Sequence, residues 1–220
     1  MGNHGYCWSC ATAKAAFAER DGAGALVFED RMWLIGGWNP NHKDFPRITN
    51  NQVWNSSDGV TWTLQKPNTF LDDKFDPASD WEGRHCAGYA VFKGKMWIIG
   101  GDGNQGHYQN DVWCSEDGKK WTWVNKGSVP PWAPRVMFHT EVFQDRIWIM
   151  GGQTVPQSAP SPDGFYNDAW TTTDGIHWVH VVPVDPCWSP RGMIGGSSVF
   201  KDRLWIMGGG TYDTPNFPNR

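Results

Sequence analysis

Short apolar runs, separated by polar or turn residues, return along the chain in a fixed register. Val27-Phe28 and Met32-Trp33-Leu34-Ile35 flank Glu29-Asp30-Arg31, and the same arrangement recurs at 91–99, 142–150 and 199–207. Each copy closes on a glycine doublet: Gly36-Gly37, Gly100-Gly101, Gly151-Gly152 and Gly208-Gly209. Two apolar runs joined by a few polar residues predict a β-hairpin. The second run is continuous rather than alternating, as expected of a strand covered on both faces. A second phrase follows the first three copies: Asn51-Gln52-Val53-Trp54 with Asp58-Gly59 and Trp62, Asn110-Asp111-Val112-Trp113 with Asp117-Gly118 and Trp121, and Asn167-Asp168-Ala169-Trp170 with Asp174-Gly175 and Trp178. Its Asp-Gly pair predicts a two-residue turn between two further strands. Each complete unit therefore reads as a four-stranded antiparallel sheet with strands a to d.

The spacing of these units, 51 to 64 residues between successive Arg20, Arg84, Arg135 and Arg191, is that of a repeat architecture in which units bury their apolar faces by stacking. Four short strands per unit point to a β-propeller. The units cover 17–64, 84–124 and 135–182, with a partial fourth at 191–213 that holds only strands a and b. Residues 1–16 form a non-propeller N-terminal segment and 214–220 a tail. The expectation is about three and a half blades, an incomplete ring or a fragment, whose open blade edges offer a route to self-association. Ala11 to Glu19 is Ala-rich and predicts a short helix or a disordered lead-in.

The glycine doublet ending strand b, and the Trp eight residues after the strand c Trp, resemble the kelch repeat, with blades like those of the galactose oxidase central domain. The resemblance covers about residues 17 to 213 and implies an all-β, kelch-type β-propeller in which doublets and paired aromatics are scaffold. The Ser/Thr-x-Asp-Gly-x-x-Trp turns look like the Asp-box of sialidases, one residue shorter, and are scaffold there too. Gly5 to Thr12 resembles the nucleophile segment of papain-like proteases, but Cys10 replaces the usual Phe and no papain domain follows, so no protease is expected.

Composition sharpens the reading. Of 16 Trp, thirteen fall at repeat-equivalent positions, which assigns them to packing. A net charge of −4 without a Lys/Arg run speaks against nucleic acid or an anionic membrane as partner. The sequence has neither an apolar stretch of spanning length nor a signal-peptide core. Five Cys, an odd count without repeated spacing, favour a reducing, cytoplasmic setting. No cofactor and no metal are expected: Cys7-x-x-Cys10 lacks a second pair, and His177 and His180 face opposite sides of a strand.

Strand order places the a-to-b and c-to-d turns on one rim and the long, variable b-to-c and d-to-a connections on the other, which makes the second rim the candidate binding face. There the repeat sets an aromatic three residues before each arginine: Phe17/Arg20, Trp81/Arg84, Trp132/Arg135 and Trp188/Arg191. Two roles are open for these pairs. They hold blades together, or the four guanidiniums crowd the channel mouth and attract carboxylate, sulfate or phosphate. Less repetitive candidates are Trp38, His42, His107, Tyr108 and Tyr166 in b-to-c loops and the acidic d-to-a loop with Asp72, Asp73, Asp76, Asp80 and Glu82. The leading expectation is a non-catalytic module binding a protein or glycan, including an acidic one, through this rim. The alternative is a sugar-active enzyme of galactose-oxidase-like or sialate-epimerase-like kind. The sequence shows no set of two Tyr and two His for the copper site of the first, and Glu82 or His107 would supply a base for the second.

Overall fold

The computed structural model describes residues 7–103, 106–154, 164–182 and 188–210. Along them run β1 (Gly24–Phe28), β2 (Arg31–Ile35), β3 (Val53–Ser56), β4 (Thr63–Lys66), β5 (Gly88–Phe92), β6 (Lys95–Asp102), β7 (Tyr108–Ser115), β8 (Thr122–Trp123), β9 (His139–Phe143), β10 (Arg146–Met150), β11 (Gln153–Thr154), β12 (Gly164–Phe165), β13 (Ala169–Thr172), β14 (Trp178–Val181), β15 (Gly192–Val199) and β16 (Leu204–Gly210). They form three four-stranded antiparallel sheets, β1-β2-β3-β4, β5-β6-β7-β8 and β9-β10-β13-β14, and two hairpins, β11-β12 and β15-β16. The first strands of successive sheets touch one another. An all-β chain of such sheets, stacked with their first strands innermost, is consistent with a β-propeller-like fold.

Cross-strand partners explain why the apolar runs sit as they do. In the first sheet Leu26 opposes Trp33 and Gly24 opposes Ile35, which in turn opposes Val53, so one face collects Phe28, Trp33, Ile35 and Val53. That face packs on Met96, Ile98 and Trp113 from the second sheet. The other face of the second sheet offers Phe92, Trp97, Ile99 and Val112 to Ile147, Ile149 and Trp178 of the third. The core is thus a series of seams between sheets, which is why the central run of strand b is apolar on both faces. At the two outermost faces the equivalent side chains meet solvent: Val27 and Met32 are 71% and 38% exposed at one end, Trp205 and Met207 44% and 52% at the other.

Two local expectations are corrected. The Asp-Gly segments are not two-residue turns, because β3 ends at Ser56 and β4 begins at Thr63. Side chains wrap the loop instead: Ser56 Oγ accepts from the amides of Asp58 and Gly59, and Asp58 Oδ1 from those of Val60 and Thr61 at 2.8 and 2.7 Å. Ser115/Asp117 and Thr172/Asp174 repeat the motif. These amides, the backbone of Thr61 foremost, hold the Asp58 carboxyl down at about 2. The tight turns lie between strands a and b, where both central residues are left-handed, as at Glu29 (φ 47°) and Asp30 (φ 54°). Residues 11–19 form bends rather than a helix. A helix this short is marginal without a packed face, and the segment is tied down instead by Phe17, edge-on to Trp54 and Trp62. The Pro-rich loop 155–162, Cys187 and the tail 214–220 lie outside the described residues.

Candidate functional site

The two rims separate as strand order requires. On the tight-turn rim Lys93 Nζ donates to the Thr173 carbonyl at 3.0 Å, joining an a-to-b turn to the neighbouring c-to-d loop. On the opposite rim Thr49 Oγ1 reaches the carbonyls of Gly83 (2.8 Å) and Gly103 (2.6 Å), joining two b-to-c loops and the d-to-a loop between them.

The arginines belong to the interior of this second rim. Arg84 is 0% exposed; Nε donates to the Glu82 carbonyl, Nη1 to the Gly100 carbonyl at 2.9 Å, and the guanidinium grips Asp111 in bidentate fashion. Burial works against this charge, but Asp111 outweighs it and raises the Arg84 pKa. Arg135, 1% exposed, repeats the set with Ala133, Gly151 and Asp168, and stacks over the Tyr166 ring at 3.9 Å. Arg20 makes the same carbonyl contacts with Ala18 and Gly36 but meets Gln52 Oε1 at 3.0 Å where the others meet a carboxylate. Arg191 bonds Ser189 and the Gly208 carbonyl. Of the two roles open for the arginines, the contacts of Arg84 and Arg135 fit the structural one, with donors on backbone carbonyls and each charge met by the strand c aspartate of its own sheet, whereas Arg20 and Arg191 are only partly buried.

The glycine doublet is required by the same joint. Gly36 and Gly37 take φ of 64° and 118°, and a Cβ on Gly36 would lie 2.7 Å from the Arg84 carbonyl oxygen. The second glycine of the first three doublets donates to the arginine carbonyl of the next unit: Gly37 to Arg84 (2.8 Å), Gly101 to Arg135 (3.0 Å) and Gly152 to Arg191 (2.9 Å). The strand c asparagine does likewise with the next aromatic, Asn51 to the Trp81 carbonyl at 2.8 Å and Asn110 to that of Trp132 at 3.3 Å. Trp81 and Trp132 are themselves buried, edge-on to Trp121 and Trp178. Trp188 is partly buried and lines an apolar cleft of about 360 Å³ with Trp148, Leu204 and Ile206, in the seam that the last hairpin only partly fills. Tyr108 is buried too.

The non-repeated residues are what reach solvent on the loop-rich rim. His107 is exposed, with Nδ1 2.9 Å from Glu82 Oε2, and Glu82 also accepts from Gln109 Nε2 at 2.9 Å. The hydrogen bond that His107 donates to Glu82 raises the His107 pKa against partial burial. In the acidic loop Asp80 holds the buried Lys66 at 2.7 Å, and Arg47 donates to the Asp72 carbonyl and lies 3.9 Å from the exposed Asp73 carboxylate. Between these connections lies a cleft of about 370 Å³ with a polar wall of Asp80, Glu82, Gln109, Asn110 and Asp111 and an apolar one of Trp123, Pro77, Val129 and Pro130. Nearer the axis Trp38 stacks on His85 with ring centroids 6.1 Å apart, and His85 faces Asp102.

Gln109, Trp123, His85 and Asp102 were missed from the sequence. The usable signal was departure from the repeat: His85-Cys86 stands where other units have Asp21-Gly22 or Val136-Met137. Among the described residues, no group of three or more His, Cys, Asp or Glu is arranged to hold a metal ion, and no helix is long and apolar enough to cross a membrane.

No family model matches the chain, and no curated protein matches it. Among solved structures it is similar to YjhT, with a TM-score of 0.64 over 86% of this chain at 14% sequence identity. The match spans 59% of the YjhT chain. At that identity the likeness speaks for the fold alone.

Proposed function

We propose that the chain is a non-catalytic β-propeller of kelch type, with about three and a half blades, that binds a glycan or a protein through its loop-rich rim. The observation that carries this reading is the cleft between the d-to-a connections, walled by Asp80, Glu82, Gln109, Asn110, Asp111 and Trp123. Its carboxylates are already paired: Asp80 with Lys66, Glu82 with His107, Asp111 with Arg84. Amides and neutralised acids facing an apolar wall of Trp123, Pro77, Val129 and Pro130 suit a neutral ligand with both hydroxyls and an apolar face, which exchanges hydrogen bonds without meeting an uncompensated charge. A scaffold that spends Arg84, the arginine beside this cleft, on Asp111 favours that ligand over the acidic one.

The test is saturation-transfer NMR with panels of neutral and acidic oligosaccharides and a peptide library, followed by titration of the best ligand. Gln109→Ala is expected to weaken binding about tenfold while the melting temperature shifts by no more than a few degrees, the loss of one or two polar contacts. No transfer from any panel would remove the reading. The Glu82–His107 pair at 2.9 Å favours one second reading, proton transfer on a sugar. Turnover of an acidic sugar that Glu82→Gln abolishes would establish it.

A further inference from the structure

One cluster on the inner rim is used neither by the scaffold nor by the cleft. Cys86 occupies the position two after the arginine, with φ of 52°, a conformation its neighbour in the first unit achieves with Gly22. Its backbone is locked into the row that runs from unit to unit: its amide donates to the Gly22 carbonyl at 2.8 Å, and its carbonyl accepts from Met137 at 3.1 Å. The left-handed turn brings the side chains of two consecutive residues together, so that Cys86 Sγ lies 3.5 Å from His85 Nδ1. Space for the sulfur comes from the first unit, since a Cβ on Gly22 would fall 2.8 Å from Sγ.

The imidazole is oriented from its other sides. His85 Nε2 faces Asp102 Oδ2 at 3.5 Å, Trp38 covers a ring face, and the His85 and Asp102 backbones exchange two hydrogen bonds of 3.1 Å. Asp102 is 6% exposed and takes the Gly106 amide. Of the other charges nearby, Arg84 is spent on Asp111, and His107 on Glu82. Burial lowers the His85 pKa, but Asp102 and the Cys86 sulfur outweigh it and hold the ring up at about 9. A strained, partly buried thiol, an imidazole beside it and a carboxylate behind the ring is the arrangement that activates a sulfur nucleophile.

We propose that Cys86 is a reactive thiol, deprotonated by the adjacent His85 imidazole and oriented through Asp102, that takes a low-molecular-weight disulfide at the inner rim. The thiolate attacks one sulfur of the disulfide, the Cys86 Sγ–S bond forms as the original S–S bond breaks, and the departing thiolate collects the proton from His85. The disulfide is the oxidant, and the products are a mixed disulfide and one free thiol. His85 and Asp102 are positioning residues.

The experiment treats the full chain with iodoacetamide, and separately with glutathione disulfide, across a pH series and locates adducts by peptide mass spectrometry. Exposed Cys7 and Cys10 serve as internal references and buried Cys114 as a reporter of unfolding. Near pH 6.5, about two units below an ordinary thiol pKa, Cys86 is expected to react at least about tenfold faster than Cys7. His85→Gln should move its pH profile onto that of Cys7, and Asp102→Asn part of the way. Equal profiles for Cys86 and Cys7 in the native protein, or a Cys86 profile unchanged by His85→Gln, overturn the proposal. Should the variants label Cys114 as well and so report unfolding, ultraviolet thiolate absorbance at the same pH decides. A signal in the native chain that Cys86→Ser removes supports the pair, and no signal overturns it.

Discussion

The first sheet and the two that follow solve one problem with different chemistry. Arg84 and Arg135 are buried against Asp111 and Asp168, and each aspartate also accepts from the indole of the Trp two residues on, at 2.6 and 2.7 Å. In the first sheet Gln52 takes the aspartate's place, bonding Arg20 at 3.0 Å and Trp54 at 3.2 Å. Without an adjacent carboxylate, burial pulls the Arg20 pKa down to about 10, offset only in part by Asp44. The geometry of the joint therefore comes from backbone carbonyls and glycine, which all the sheets share. The carboxylate is what lets the guanidinium go fully under cover.

Breaking the strong version should cost most. Asp111→Asn leaves Arg84 buried without its counter-charge and is expected to lower unfolding free energy by about 3–5 kcal/mol, read from denaturant midpoints. Gln52→Ala in the first sheet should cost about 2 kcal/mol, the worth of a hydrogen bond from a charged group to a neutral acceptor. Equal losses would show the charge to be irrelevant. Acid should distinguish the sheets next. Burial pushes Asp168 up, but the hydrogen bonds and charge of Arg135 outweigh it and hold its carboxyl below the usual range. A depressed folded pKa contributes stability that is present above the unfolded value, ~3.9, and lost as pH falls through the folded one. Amide exchange in β9 and β10 should accelerate below about pH 4. β1 and β2, whose arginine has no such partner, should change less. The smallest effect is the converse substitution: Gln52→Glu should raise stability by about 1 kcal/mol at neutral pH and lose that gain in acid.

Most of the scaffold was legible because its demands repeat. A carbonyl that must meet a guanidinium, and a glycine that must have positive φ, recur at every unit and print a period in the sequence. The Ser/Thr-x-Asp-Gly loops were legible as turns but not in type, since a two-residue hairpin and a loop wrapped on its own carboxylate share the Asp-Gly signature. The binding face was legible only as a rim. Period alone could not tell that Trp81, Arg84 and Arg135 were internal, because a residue repeated for packing and one repeated for a ligand have the same spacing. The Gln109–Glu82–His107 and Cys86–His85–Asp102 contacts unite residues with no shared register, and bends at left-handed residues such as Cys86 (φ 52°) cannot be read from residue type.

The joints also have a direction. The donors at the end of strand b and the start of strand c find their acceptors in the following unit, Gly37 and Asn51 on Arg84 and Trp81, Gly101 and Asn110 on Arg135 and Trp132. A nascent chain emerging from the ribosome would consequently hold each freshly made sheet with its loop-side amides unquenched until its successor had been synthesised, so that maturation proceeds as a lagging wave, one repeat behind translation.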